Sequence, residues 1–366
     1  MNKNQISSGQ MLSLMVMFQI GTAIVINMGY TSGKDTWITI LVCMVLGAGL
    51  FWIYSCLSKQ FPKMPLTAYS RILLGKVIGN IVGMLYIAYF IYIGCRNLRD
   101  GANLINISTL NTTPLVVTTT LMLLCISYVV YLGFEVLART AVLLLVFLLF
   151  VGLLSNILLL SSNAVQVDLI LPLFEDGIKP VLKGIFTENL IIPFGEMVCF
   201  LMLLPYMRRP EKGGYIGVVS IIIGGLILSQ TMFLNVACLG LNIAKRSAFP
   251  LLSTISLVEI SEFVQRVDIL VVMSLIIGDF FRISLYFSAA LIGASDIFNV
   301  SYRKLILPIA FIMLVWTTGM ARNFIYHLEY GRLALYYIHP LFVFYFPFLL
   351  LGAAWIHKRR KRRTRV

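Results

Sequence analysis

Charge is scarce in this sequence, and negative charge is scarcer still: only 12% of the 366 residues are charged, with 15 Asp and Glu against 29 Lys and Arg. Soluble domains carry roughly 25% charge, so a water-exposed surface over most of the chain is excluded. No hydrophilic stretch is long enough to fold as a separate soluble domain. Histidine is limited to His327, His339 and His357, scattered without ligand-spaced partners, which argues against a metal centre. The six cysteines, Cys43, Cys56, Cys95, Cys125, Cys199 and Cys238, fall in or beside apolar runs. A thiol there acts as a small hydrophobe, and neither a disulfide framework nor a zinc site is indicated. No catalytic residue, cofactor or enzymatic activity is expected.

Long apolar runs are what the sequence does have. Hydrophobic residues make up 59% and the mean hydropathy is +0.92, values of a polytopic membrane protein. Uncharged windows lie at 4–33, 36–58, 77–95, 101–134, 140–167, 189–207 (interrupted by Glu196), 213–244, 269–295 (holding Asp279 and Arg282), 305–321 and 333–357. Each can hold a spanning helix of roughly 17–25 residues, so an all-α fold of ten transmembrane helices in one domain, 1–366, is predicted. The first apolar run is too long for a cleaved signal and lacks a small-residue cleavage site after it, so it is expected to remain as helix 1.

The cations divide by loop. With both termini cytoplasmic, the inner set is Lys3, Lys59, Lys63, Arg71, Lys76, Arg139, Arg208, Arg209, Lys212, Arg303, Lys304 and the tail HKRRKRRTRV, while the opposite loops hold nearly all the acids, including Asp168, Glu175, Asp176, Glu259, Glu262 and Asp268. The net charge of +14 is thus a topology signal. The basic tail, 358–366, follows the last helix directly and reads as a contact with anionic lipid rather than nucleic acid. The two longest outer connections are 161–188, read as a re-entrant or surface segment, and 245–268. In the latter, Leu252, Ile255, Val258, Glu259 and Glu262 follow helical spacing, which fits a short amphipathic helix on the outer face or a plain linker.

Ten helices divide into five plus five, with a first half over about 8–160 and a second over about 181–357. Helix 1 carries Gly21-Thr22 near its middle, and helix 6, the first of the second half, carries Pro193-Phe194-Gly195. Interruptions at matching positions of two halves point to a LeuT-like inverted repeat with helices 1 and 6 broken. Proline lacks the backbone N–H and glycine tolerates unwound geometry, so backbone groups are freed at mid-membrane. Such backbone is tolerated only where it is buried in protein or lines a wet cavity, and a half-helix N-terminus there favours an anion.

Glu196, beside the break, is costly in hydrocarbon and should be either neutral or paired. The reading favoured here is a neutral hydrogen-bonding strut; a proton or ion carrier and a counter-charge to a ligand ammonium are the alternatives. Asp279 and Arg282 stand at i and i+3 on helix 8, a spacing that lets them neutralise each other. Tyr86, Tyr89 and Tyr92 on helix 3 follow i, i+3, i+6, as a cavity lining or as an interhelical packing stripe. The candidate ligand-binding set is Gly21, Thr22, Tyr92, Pro193, Phe194, Gly195, Glu196 and Ser284.

Several segments together resemble one family: Phe18-Gln-Ile-Gly-Thr-Ala23, Arg96-Asn-Leu-Arg-Asp100 after helix 3, Thr113-Pro114-Leu115, Gly133-Phe-Glu-Val-Leu-Ala-Arg139, Leu171-Pro172 with Gly177-Ile-Lys-Pro180, and Pro193-Phe-Gly-Glu-Met197 with Pro205-Tyr206. In order and spacing they resemble the B subunits of the nutrient germinant receptors of bacterial endospores, in the amino acid–polyamine–organocation transporter superfamily. The sequence departs from that pattern at Gly101, where a bulkier residue is expected, and on helix 8. The resemblance implies a LeuT-like fold, recognition of a small nutrient, typically an amino acid, and a place beside an A subunit and a C lipoprotein subunit in the spore inner membrane. The alternatives are an amino acid permease driven by H+ or Na+ and a scaffold with a vestigial cavity. Fold alone does not choose among them.

Overall fold

The computed structural model describes residues 5–25, 29–162, 164–257 and 267–363. In chain order its helices are α1 (Ser8–Val25), α2 (Thr36–Gln60), α3 (Leu66–Leu74), α4 (Lys76–Ser108), α5 (Leu115–Leu132), α6 (Phe134–Ser161), α7 (Ile178–Gly184), α8 (Phe200–Leu203), α9 (Gly213–Arg246), α10 (Pro250–Ile255), α11 (Val267–Phe298), α12 (Tyr302–Gly319), α13 (Phe324–Tyr337) and α14 (Phe346–Arg363). Helices dominate because hydrocarbon offers backbone groups no water, and a helix satisfies nearly all of them within one segment. Among the described residues nine helices are long and apolar enough to cross a membrane. The 18-residue α1, with most of its side chains buried, completes ten.

Burial identifies the centre of the bundle. In the span 179–206, helix 6, 89% of the apolar window is buried, whereas in α6 only 22% is. Helix 6 is therefore a core element, and α6 presents Leu143, Val146, Phe150 and Leu153 outward to lipid. The most extensive packing joins α4 to α11 and α2 to α9, that is, crossing three to eight and two to seven. Helix 6 runs antiparallel to α1. Ile6, just before α1, exchanges backbone hydrogen bonds with Tyr206 and Arg208 at the end of helix 6, while Ser32, beyond α1, donates to the Pro180 carbonyl at its start, at 3.4 Å. This pairing is what a two-fold relation between positions one to five and six to ten produces.

Four boundaries differ from the sequence reading. The motif Arg96–Asp100 does not follow helix 3 but lies buried within the 33-residue α4. Its charges are tolerated because each meets a polar group: Arg99 donates to the carbonyls of Thr317 (2.9 Å) and Ala321 (2.8 Å), closing the end of α12. Arg96 donates to the His327 carbonyl through both terminal nitrogens at 3.2 Å, and His327 Nε2 meets Asp100 Oδ1 at 2.7 Å. Consequently the fourth crossing is only α5, and Gly133, at φ 115°, makes the one-residue turn into α6. Second, residues 59–76 contain α3, a short helix tied to α11 by Arg71 and Thr67 on Asp296 (2.7 and 2.5 Å). Third, the last crossing starts at Phe324 and spans α13, a π-helical segment Leu341–Tyr345 and α14.

The fourth concerns helix 1. The α-helix runs through Gly21 and Thr22 to Val25, and the irregular part comes later, with Gly29 at φ 96° and a 3-10 segment Tyr30–Asp35. The outer segment at 164–177 is a surface segment pinned to this region by Lys34 on Glu175 (2.6 Å) and by Asp35 accepting from the Phe174 amide (3.1 Å). Pro250–Ile255 is helical but packs on α9 and α11 rather than lying free. Val258, Glu259 and Glu262, with the end of the basic tail at 364–366, lie outside the described residues.

Candidate functional site

Helix 6 breaks where the sequence places the break. Ile192 leaves helical geometry (φ −111°, ψ 122°) immediately before Pro193, inside the π-helical stretch Ile185–Phe194, which runs directly into a 3-10 turn Gly195–Cys199. The freed groups find partners on neighbouring helices. Tyr54 of α2 donates to the carbonyls of Gly195 (3.4 Å) and Val343 (2.5 Å). Asn189 donates to the Gly29 carbonyl at 3.4 Å, which fastens the break to the irregular end of helix 1.

Glu196 sits just below the break, 1% exposed, and Arg282 of α11, also 1% exposed, donates to it. The expected neutralisation of Arg282 by Asp279 is therefore not what forms. Position 279 precedes 282 by most of a helical turn, yet the two side chains are claimed by different neighbouring helices: Arg282 by helix 6 and α1, Asp279 by α4. Arg282 also donates to the Phe18 carbonyl at 3.2 Å and lies 4.9 Å from the Phe18 ring centroid and 5.9 Å from that of Tyr286. These cation–π contacts hold the guanidinium without water. On the other side, His339 Nδ1 stands 3.6 Å from Glu196 Oε1 and bonds Tyr89 Oη at 3.0 Å. Glu196 is thus one half of a buried ion pair ringed by aromatic groups, which replaces the reading of a neutral strut.

The predicted residues separate into groups. Pro193 lines a cavity of about 30 Å³ with Gly29, Glu188, Asn189, Met232 and Leu335. That volume suits ordered water rather than a nutrient. Phe194 and Gly195, next in sequence, are close-packed: a Cβ built on Gly47 would lie 2.6 Å from Phe194 Cβ, and one on Gly195 would lie 2.4 Å from Val343 Cγ1. Gly21 likewise serves contact, its Cβ position being 2.8 Å from the Gly278 carbonyl oxygen. The side chain of Thr22 lies outside the described residues. Tyr92 is half-buried and packs on Trp316 of α12, centroids 5.8 Å apart; its stripe-mate Tyr89 is the one that reaches the ion pair. Ser284 is buried with its hydroxyl unpartnered, but two positions from Arg282 places it about 200° around the helix from that side chain.

Sequence reasoning missed His339, Tyr89 and the partner of Glu196. A signal for the first was present, since His339-Pro340 inside the last apolar run is a polar break like that of helix 6. It also missed Glu188, whose Oε2 is buried without a partner. Glu188, Gly29 and Leu335 border both the small cavity and a vestibule of about 450 Å³ walled by Lys245, Arg246 and Arg332. A separate cavity of about 460 Å³ between α6, α9 and α11 reaches Ile20 and Gly278, and none of the seven predicted residues with described side chains lines it.

Comparison with known proteins agrees with this architecture. A family model described as "Spore germination protein" matches residues 5–325. Spore germination protein KB of Bacillus subtilis (strain 168) is 33% identical over 365 residues, covering 99% of this chain and 98% of that protein. Spore germination protein YndE of the same organism is 27% identical over 91% of this chain and 89% of its own length. Among solved structures, MhsT in complex with L-phenylalanine superposes with a TM-score of 0.72 over 94% of this chain and 87% of that one, at 12% identity. The shared fold is LeuT-like, and the chain belongs to the spore germination protein family.

Proposed function

We propose that this chain is the nutrient-recognising subunit of a germinant receptor, non-enzymatic and without a resident cofactor. It takes a small zwitterionic nutrient, an amino acid, at the floor of the vestibule above the helix-6 break. The observation that carries this reading is Glu188. One of its oxygens is buried without a partner, and the residue lines both the vestibule and the small cavity, where its carboxylate suits an α-ammonium and the Arg246 and Arg332 wall suits an α-carboxylate. The vestibule volume falls within the range of small-molecule sites. The fold shared with MhsT, solved with L-phenylalanine, supports the same ligand class. The ion pair of Glu196 and Arg282 then acts below the site as the strut that ties helix 6 to α11, so that ordering of the vestibule reaches the core. An A subunit and a C lipoprotein subunit are the proposed partners, and the spore inner membrane the proposed location.

A deletion strain and its complemented parent, screened against single amino acids, sugars and nucleosides, identify the nutrient. In that background Glu188→Gln and Leu335→Trp are expected to raise the concentration for half-maximal germination by roughly tenfold, the equivalent of one charge-assisted contact, at normal subunit levels by immunoblot. Unchanged sensitivity in both removes the vestibule as the site. Uptake of labelled amino acid by the isolated chain would favour a permease instead.

Both termini are proposed on the spore-core side, from the cation asymmetry of the loops. Single cysteines at Asp176 and Ser247 are expected to react with an impermeant thiol reagent from the outer face, and one at Lys358 is not. The reverse pattern inverts the topology.

A further inference from the structure

The cavity of about 460 Å³ between α6, α9 and α11 shares no lining residue with the vestibule. Its α6 wall includes Leu149, Leu153, Ile157 and Leu160, all of them exposed. They recur at i, i+4, i+8 and i+11, on one face of the helix, and Leu153 belongs to the surface that α6 presents to lipid. The cavity therefore opens to hydrocarbon, and an occupant arrives dissolved in the bilayer. Gly152 lines the same side, and a Cβ built there would have nothing within 4 Å.

The lining selects the chemistry of that occupant. Among the described residues no charged side chain lines the cavity, so nothing there holds an ion or a phosphate headgroup. Polar side chains do line it. The hydroxyls of Thr231, Thr254 and Ser274 are spent on carbonyls four residues back, those of Ile227 (2.9 Å), Pro250 (2.9 Å) and Leu270 (2.8 Å). Two carboxamides are not spent. Asn156, half-buried on α6, and Gln230, exposed at the middle of the membrane-crossing α9, make no side-chain hydrogen bond among the described residues, and the Ser155 hydroxyl beside Asn156 is buried without a partner. A carboxamide without a partner at hydrocarbon depth is costly, and a plain acyl chain does not relieve it. Each amide offers both a donor and an acceptor, which matches a neutral group of the same dual character.

We propose that this cavity binds an uncharged, lipid-soluble amphiphile, an alkyl chain ending in a hydroxyl, with the chain along the apolar face of α6 and the hydroxyl bonded to the amides of Gln230 and Asn156. The volume falls within the range of small-molecule sites. Ile20 and Gly278 form part of the wall, beside the contact of Gly21 with Gly278 that joins α1 to α11. An occupant thus braces that crossing from the membrane side, independently of the vestibule.

The test is photolabelling of the full chain in phosphatidylcholine nanodiscs with a diazirine-bearing decanol, the labelled peptides being identified by mass spectrometry. Label is expected on the segments of α6, α9 and α11 that line the cavity. Unlabelled decanol is expected to compete at a roughly tenfold lower membrane concentration than decane, which lacks only the hydroxyl, the effect of one hydrogen bond. The double variant Asn156→Leu/Gln230→Leu is expected to erase that difference. Gly152→Phe, which puts a ring into open space, is expected to abolish labelling of the cavity while unfolding no earlier than the wild type. Equal competition by decane and decanol in the wild type overturns the proposal in favour of an ordinary lipid tail. Label spread evenly over the lipid-facing helices, or a preference for decanol that survives in the double variant, overturns it as well.

Discussion

Arg282→Met is expected to be among the most damaging single substitutions in this protein, with a loss of about 3–5 kcal/mol, because it strands Glu196 as an uncompensated charge in the core. The guanidinium supplies the ion pair to Glu196, the hydrogen bond to the Phe18 carbonyl and the cation–π contacts with Phe18 and Tyr286, and methionine keeps only its volume. Glu196→Gln should destabilise for the converse reason. The amide can still accept one hydrogen bond, but Arg282 is left charged at 1% exposure. The pair is therefore expected to be strongly coupled. The double variant Glu196→Gln/Arg282→Met removes both charges and should recover a large part of the loss, since a buried ion pair replaced by apolar volume is often close to neutral. Unfolding midpoints of the four detergent-purified proteins form the cycle. Additive losses, or a stable Arg282→Met, would show that Glu196 and Arg282 are not paired in the membrane.

Gly21→Leu is expected to separate α1 from α11 and to prevent accumulation of folded protein. At Gly21 a Cβ would lie 2.8 Å from the Gly278 carbonyl oxygen, and at Gly278 a Cβ would lie 2.9 Å from Gly21 Cα. Both obstacles are backbone, so no side chain can rotate away. Two glycines facing each other let the helices approach this closely, the small-residue packing typical of membrane bundles. Even Gly21→Ala is expected to cost about 1–3 kcal/mol, the range for overpacking, and Gly278→Ala should match it because the contact is reciprocal. The contrast is Gly9, which has nothing within 4 Å of its Cβ position; Gly9→Ala should leave the unfolding midpoint unchanged. Alanine at 21 and 278 without effect on the midpoint would mean that α1 and α11 do not cross at these residues.

Both expectations differ from what the sequence suggests about the same residues, and the differences are instructive. Gly21 and Gly195 look alike in sequence as the marks of paired breaks, yet only helix 6 departs from helical geometry beside its mark, at Ile192. A glycine inside an apolar run has two uses, an unwound turn or a close helix crossing, and they are indistinguishable until the neighbouring helix is known. Pro193 has no such ambiguity, because it removes a donor wherever it stands, and the break it predicts is present. Tyr92 and Tyr89 are equally ambiguous as an i, i+3 pair. The rotation of α4 turns Tyr89 to His339 and Tyr92 to Trp316. The Arg96–Asp100 motif was misplaced outside a helix because charge reads as loop in hydropathy, while the carbonyls that accept from Arg96 and Arg99 lie more than 200 residues away in sequence.

The membrane class, the number of crossings and the position of the helix-6 break were determined by the sequence alone. Each follows from a one-dimensional rule: apolar length must match bilayer thickness, backbone groups in hydrocarbon must be satisfied within the same segment, and a proline cannot donate. Tertiary structure alone decided which charges are partners. Arg282 is three residues from Asp279 and 86 from Glu196, but it pairs with the distant acid, because the helices that meet at the bundle centre fix which carboxylate its guanidinium can reach. Asp279, turned instead to the space left by Gly101, is the acid that remains without a protein partner.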